Sequence, residues 1–480
     1  MSASRRSVRN VGVGGAALTR KAERVVVVGR DAALWIVAAS LQSAFGRSGV
    51  RVDAIELPSL LQEVDVYAAV PSLGALHKLL GIEESVLLAA CAGVPMVGQR
   101  FSNWAKSSPP FLHGYDVERT PGGDVTFFQY WVKARLEGLK VGFEEFSLAA
   151  VAAKQGRVPF TEDDPNPSAA SHGYHLHARG YAALLKQLAG RAGVRHRRGR
   201  VAGVERDGER IARVTLDDGE ALEADLFVDA SGTEAVLAGP ANSDNFESWR
   251  QWLPCDSTLA ASAQPLRPAP AFSQISAFRA GWVGLYPLQD RTAVIATWDS
   301  KSFGAAQMVE SLPVLSGLAI AGDAVVTPFE AGARLRPWSG NCVAIGDSAI
   351  SLEPLDAVQL HSVHVGVTQL VALFPVDADR LIEADTYNEV VLQHARNVRD
   401  FQAAHYRLNR RFDEPFWVAC SPAGGFRCCS KGNRSRSRIG PRSCSAMGSP
   451  RRATIRAWTG CRRRSISRRC SSGCARWRWR

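Results

Sequence analysis

The stretch RVVVVGRDAALW, residues 24–35, sets a glycine turn directly behind four valines. A dinucleotide-binding turn of this kind uses three glycines. One makes the tight turn, one lets backbone approach a pyrophosphate, and one lets helix pack on strand. Gly29 keeps the first place, while Asp31 and Leu34 stand at the other two. Asp31 would bring a carboxylate beside the phosphates, and Leu34 a bulky side chain where helix meets strand. Glu56 closes the next apolar stretch, VRVDAIEL at 50–57, and lies 27 residues after Gly29. An acid at that place binds ribose hydroxyls in such folds. A second turn, Gly346-Asp347, sits in CVAIGDSA at 342–349. It reads either as a carboxylate at a helix N-terminus facing a cofactor or as a plain helix cap. The glycines of GVGGAAL at 12–18 have no strand before them and are set aside.

These residues need elements to position them. RVVVVG is short and β-branched, which predicts a buried strand. RDAALWIVAASLQSAFGRSG keeps helical spacing, and VRVDAIEL is a second strand, so the three form a β-α-β unit. GERIARVTLDDGEALEADLFVDASG at 208–232 predicts a β-hairpin turning at Asp217-Asp218-Gly219, then a buried strand. A chain of 480 residues can bury a large core. The expected fold class is α/β with mixed α+β parts. No apolar run reaches the length of a membrane span, and the N-terminus lacks the apolar core of a signal peptide. The expectation is therefore a cytoplasmic protein with no membrane partner.

The net charge of +12 belongs to one end of the chain. Residues 425–480 hold 17 of the 58 Lys and Arg and no Asp or Glu, leaving 41 basic against 46 acidic residues in the rest. Six of the ten cysteines also lie there, while Cys91, Cys255, Cys342 and Cys420 are scattered through the body. Scattered cysteines suggest reduced thiols rather than a disulfide framework, and no metal site is expected. The basic tail has no apolar period of either kind. Its Arg, Ser, Gly and Cys are what a GC-rich gene yields when read out of frame, and the change begins abruptly after FDEPFWVACSPAGG. A disordered arm and a nucleic-acid arm built on Arg and Trp are the other readings. With the first reading, no nucleic-acid partner is expected. The expected organisation is an N-terminal arm at 1–23, a body at 24–424 and the tail at 425–480.

The body resembles the flavin-dependent tryptophan halogenase family. The resemblance is carried by QYWVKAR (129–135), ADLFVDASG (224–232), WLPCD (252–256), GWVGLYPLQDR (281–291), NCVAIGDSAISLEPLDAVQLH (341–361) and RDFQAAHY…DEPFW (399–417), in the family's order. It implies an FAD-binding domain of flavin monooxygenase type, near 24–60, 195–235 and 330–375. An intertwined, largely helical substrate region would lie near 75–190, 236–330 and 376–424. It implies FAD, supplied reduced as FADH2 by a separate flavin reductase, an indole or other aromatic substrate, and a homodimer as the assembly. The family's chemistry passes reduced flavin and oxygen to a hydroperoxide that oxidises halide, and the hypohalous species reaches a lysine beside the indole.

Carried over position by position, the cofactor residues are Gly29, Glu56, Gly346, Asp347 and Pro354. The family's second and third turn glycines fall on Asp31 and Leu34. Its flavin loop, G-V-G-E-A-T-I-P, falls on Val64 to Pro71 with both glycines and the glutamate replaced. The catalytic lysine falls on Met96, which has no amine. In Glu353-Pro354-Leu355-Asp356-Ala357-Val358, Asp356 matches the lysine's carboxylate partner and Glu353 opens the motif. The hydroxyl that holds halide is replaced at Val358. The W-x-W-x-I-P signature keeps Trp282 and Pro287, and Tyr130, Trp131 and Trp417 complete the implied substrate pocket. Two readings follow: an FADH2-dependent halogenase or monooxygenase, or a catalytically inactive paralogue that binds an aromatic ligand or a partner halogenase.

Overall fold

The structure, a computed structural model, describes residues 20–105, 108–116, 127–158, 171–241, 244–411 and 413–420. The readings of residues 1–19 and 425–480 fall outside them. Within the expected arm, Arg20 pairs with Asp225 and, at 3.0 Å, with Asp379, so residues from Arg20 onward are tied to the body.

Val25, Val26, Val27 and Val28 are all completely buried, which stabilises the fold by about 1.5–3 kcal/mol per side chain. They form β1 (Arg24–Gly29), the centre of a six-stranded sheet. β2 (Arg51–Glu56) and β12 (Leu226–Ala230) flank β1 in parallel. β8 (Arg195–Arg198) lies outside β2, and β21 (Cys342–Ala344) outside β12. The antiparallel β20 (Trp338–Ser339) closes that edge. The helix Asp31–Phe45 connects β1 to β2, as the β-α-β pattern predicts. The hairpin is also present: β9 (Val201–Asp207) and β10 (Arg210–Leu216) pair antiparallel, with β11 (Ala221–Leu222) beyond the Asp-Asp-Gly turn.

A seven-stranded sheet carries the other half of the body. Its order is β18 (Ile320–Pro328), β14 (Ser257–Ala263), β17 (Thr292–Trp298), β16 (Gly281–Pro287), β15 (Ser273–Phe278), β5 (Gly98–Ser102) and β6 (Phe111–Gly114). Strict alternation of buried and half-buried residues along β14 gives its inner face to an apolar cluster around Trp298 and Met308. Thus the part expected to be largely helical rests on a sheet as well as on helices. Two small sheets join the halves: β3 (Val66–Ala69), β7 (Gly173–His177) and β4 (Val94–Met96), and β13 (Phe246–Ser248), β19 (Gly332–Arg334) and β22 (Ile350–Ser351). The long helix Glu383–Arg407 brings Gln402, His405 and Tyr406 into the interior.

Candidate functional site

Gly29 ends β1 against β12. A Cβ there would lie 2.5 Å from the Ala230 carbonyl oxygen, so only glycine allows the two strands this approach. Two residues later Asp31 adopts the left-handed conformation, φ 54°, which glycine enters freely and aspartate at a small cost. Its carboxylate accepts a hydrogen bond from Ser59 Oγ at 2.6 Å. Burial pushes the Asp31 carboxyl up despite that bond. Arg30 pairs with Glu234 at 2.6 Å, across the gap between the ends of β1 and β12. Leu34 is fully buried in the main core, so the bulky residue expected at the helix–strand contact is absorbed by packing.

Glu56 ends β2, but its carboxylate is already engaged. Lys186 donates at 2.7 and 2.8 Å, His196 lies at 2.8 Å, and Arg198 donates at 3.1 Å. Burial pulls the Glu56 carboxyl up, and the bonds from Lys186, Arg198 and His196 outweigh it and hold it below the usual range. Lys186, Arg198 and His196 therefore take the acceptor that the sequence offers to ribose. Tyr67, in the segment matching the flavin loop, is a residue the sequence reading did not single out. Burial raises its hydroxyl pKa, and the nearby charges of Asp31, Asp347 and Asp65 raise it further.

Gly346 has φ +72° and would place a Cβ 3.0 Å from Val363. This turn is a single 3-10 turn, Gly346–Ser348, and not the start of an α-helix. That corrects the expected helix N-terminus. Ser348 Oγ accepts from the Ile345 amide at 3.1 Å and donates to the Asp229 carbonyl at 2.6 Å, which closes the turn on itself. The chain then enters β22, and the next helix begins only at Gln359. Arg334 fastens the turn by donating to the Ser348 carbonyl at 2.6 Å. Asp347 is open to solvent while its neighbours are buried. Crowding by protein nevertheless pushes its carboxyl up to about 6.

Beyond β22 the chain supplies a buried carboxyl group. Glu353 is fully buried, and its carboxylate accepts from Tyr406 at 2.5 Å and Trp282 Nε1 at 3.4 Å. Burial pushes Glu353 up to about 7 against the pull of those bonds. Gln402 donates to the carbonyls of Glu353 and Leu355 at 3.1 and 2.8 Å, and Tyr286 donates to that of Pro354 at 3.3 Å. These bonds hold Asp356 and Ala357 at φ 65° and 59°, a strain of roughly 1–3 kcal/mol each. Asp356 Oδ1 lies 3.2 Å from His405 Nε2. Val358 is buried just ahead of the Gln359 helix and offers no polar atom.

Met96 ends β4 and is completely buried. Its sulfur is 3.0 Å from Ser273 Oγ and 4.0 Å from the Tyr115 hydroxyl. Ser273 in turn lies 2.8 Å from His175 Nε2, and the Pro287 carbonyl lies 3.1 Å from His175 Nδ1. Tyr286, whose hydroxyl donates to the Pro354 carbonyl, has its ring 5.7 Å from that of His175, which links the Met96 environment to the segment before Asp356. Trp417 stacks on Tyr406 at 5.6 Å, joining it to the Glu353 nest. Trp131 instead donates to the Val141 carbonyl and packs on Phe143, and Tyr130 is exposed. The structure thus unites Met96, Asp356, Glu353, Pro354, Trp282, Pro287 and Trp417 but gives Tyr130 and Trp131 other surroundings.

The sequence profile of the tryptophan halogenase family matches residues 24–425. Tryptophan 7-halogenase KtzQ of Kutzneria sp. (strain 744) is 29% identical over 82% of this chain and 78% of its own length. RebH of Lentzea aerocolonigenes, another tryptophan 7-halogenase, is 26% identical over 84% of this chain and 79% of its own. Among solved structures, the flavin-dependent halogenase Xcc4156 from Xanthomonas campestris superposes with a TM-score of 0.80, at 28% identity, covering 90% of each chain. The flavin-dependent halogenase BrvH from Brevundimonas sp. BAL3 gives a TM-score of 0.76 at 31% identity, covering 83% of this chain and 81% of its own. By this match, which spans most of the chain, the protein belongs to the tryptophan halogenase family.

Proposed function

We propose that this member keeps the halogenase fold but has lost halogen transfer, and that it holds an aromatic ligand without turnover. The carrying observation is Met96, a buried thioether where the family resemblance puts the lysine. A thioether offers no N–H to a hypohalous species and cannot bear the halogen as an amine would. The matching carboxylate, Asp356, has His405 as its near neighbour, and Val358 supplies no hydroxyl for halide. A cavity of about 500 Å3 supports ligand binding, being large enough for an indole. Trp252, Tyr406 and Phe416 line it, with Lys301 and Arg407 to meet a carboxylate, while Arg250 on the same wall is paired with Asp256 at 2.5 Å and Asp299 also lines it.

The family's cofactor is FAD, and the residues present fit only one end of it. Asp347, exposed beside the buried Gly346, suits polyol hydroxyls. At the nucleotide end Asp31 sets a carboxylate at the phosphate turn, and Glu56 is bound by Lys186, Arg198 and His196. We therefore infer weak FAD binding, and no reaction step is assigned to the cofactor. A cytoplasmic setting beside a flavin reductase fits this reading. Among the described residues no helix is long and apolar enough to cross a membrane.

The test combines the chain with FAD, a flavin reductase, NADH, chloride or bromide, and L-tryptophan. The expected result is tryptophan binding by titration and no halogenated product. Met96→Lys alone should not restore product, because Val358 and the altered flavin loop remain. Halotryptophan formed by the unaltered chain overturns the reading and leaves an active halogenase as the alternative.

A further inference from the structure

We propose that Met96 is a site of selective two-electron oxidation, where a small oxidant such as hypohalous acid or hydrogen peroxide converts the thioether to a sulfoxide. This needs no halogenase turnover, so it stands apart from the functional reading above. The chemistry begins with the tautomer of His175. The Pro287 carbonyl can only accept, so His175 Nδ1, 3.1 Å away, carries the ring proton. Burial keeps the ring neutral, pushed down to about 4, so Nε2 presents a lone pair. The single hydroxyl proton of Ser273 therefore goes to Nε2 at 2.8 Å, a far better acceptor than sulfur. Ser273 Oγ, 3.0 Å from Met96 Sδ, turns oxygen lone pairs toward the sulfur. The sulfur keeps its nucleophilic pair, and positive charge growing on it during attack meets an electron-rich oxygen. Tyr115 is only half-buried, and its hydroxyl, 4.0 Å from the sulfur, can donate to the departing group and then to the sulfoxide oxygen.

With hypochlorous acid an S–O bond forms and the O–Cl bond breaks. Sulfur is oxidised by two electrons, chlorine leaves as chloride, and the proton passes to water. With hydrogen peroxide the O–O bond breaks and water leaves. Met308 supplies an internal comparison. It is as fully buried as Met96, but its cluster is apolar, with Leu259, Val294, Trp298 and Phe303 among its members. A sulfoxide oxygen there would be buried without a donor.

The intact chain is exposed to graded hydrogen peroxide or hypochlorous acid, once folded and once in urea. Mass spectrometry of peptides then follows oxygen addition at Met96 and Met308. In the folded chain Met96 should react at least about tenfold faster than Met308, and the ratio should approach one in urea. Tyr115→Phe and Ser273→Ala should each slow Met96 about threefold or more, with Met308 unchanged. Equal folded rates, or a Met96 rate that neither substitution moves, overturn the proposal.

Discussion

Two turns at the same end of the six-stranded sheet have diverged. One follows β1 and the other follows β21, and each carries a residue in the left-handed region. In the second, Gly346 holds φ +72° and is followed by an accessible acid. In the first, Asp31 holds φ 54° where the family has glycine. The backbone shape survived in both, but only one kept the residue that makes the shape cheap. Strand pairing on either side, Val28 with Asp229 and Gly29 with Glu56, fixes the path of the first turn. The fold thus imposes on Asp31 a conformation that glycine enters more freely. Conformation is set by many neighbours, whereas chemistry rests on single side chains and is lost one substitution at a time.

The largest effect lies on the chain segment that leaves the second turn. Glu353→Ala would take away the acceptor of the buried Tyr406 hydroxyl, while the Trp282 N–H keeps the Tyr406 oxygen at 3.2 Å, a destabilisation of about 1–3 kcal/mol. Glu353→Gln keeps an acceptor and should be far milder. The two variants also separate charge from packing through pH. The folded pKa of about 7 lies above the ordinary carboxyl value, so between roughly pH 4 and 7 the folded chain keeps a proton that the unfolded chain releases. The contribution of Glu353 is full below that window and is lost as pH rises through 7. The melting temperature of Glu353→Gln relative to the unaltered chain should therefore climb from pH 5 to pH 8. A difference that stays flat across that range would mean Glu353 is ionised in the fold, and the contrast between a neutral and a charged arm would collapse.

The next effect compares the turns directly. Gly346→Ala forces an L residue to φ +72° and brings a methyl 3.0 Å from Val363, costing about 1–2 kcal/mol. Asp31→Ala should cost less, because the turn already accommodates a Cβ at that angle and loses mainly the Ser59 bond. Chemical denaturation of both variants reads the contrast. Equal losses would show that the first turn is as dependent on its residue as the second.

The legible part of this molecule was the part written locally. Four consecutive valines, a helical period and an Asp-Asp-Gly turn declared β1, its helix and the hairpin, and each element is present. The 3-10 turn at Gly346 was misread as a helix start, because Ser348 is diverted to Asp229, a partner 119 residues away in sequence. Glu56 looked free for ribose, since Lys186 lies 130 residues from it along the chain. The Met96, Ser273 and His175 contacts span separations of 177 and 98 residues. No periodicity reports such pairings; they follow from how the sheets stack. Tyr67 carried no signal beyond its place in the degraded loop, and only the fold sets it among Asp31, Asp65 and Asp347.

The smallest change should have the clearest functional reading. Asp31→Gly supplies the residue that the backbone angle favours and removes one carboxylate from the turn. Glycine gains the left-handed angle freely but adds freedom to the unfolded chain, so stability should move by less than about 1 kcal/mol. FAD affinity, followed by quenching of flavin fluorescence, should rise about tenfold, the equivalent of about 1.4 kcal/mol. Asp31→Asn isolates the cause, since asparagine tolerates the same angle and nearly the same shape without the charge. If repulsion of the pyrophosphate is the obstacle, Asn should recover most of the gain, and the gain should shrink at high salt as the charges are screened. If only Gly helps, the side chain's bulk blocks the backbone approach and the charge is incidental. If neither helps, the obstacle sits at Glu56, where Lys186, His196 and Arg198 hold the carboxylate, and the two turns differ less in chemistry than in residue.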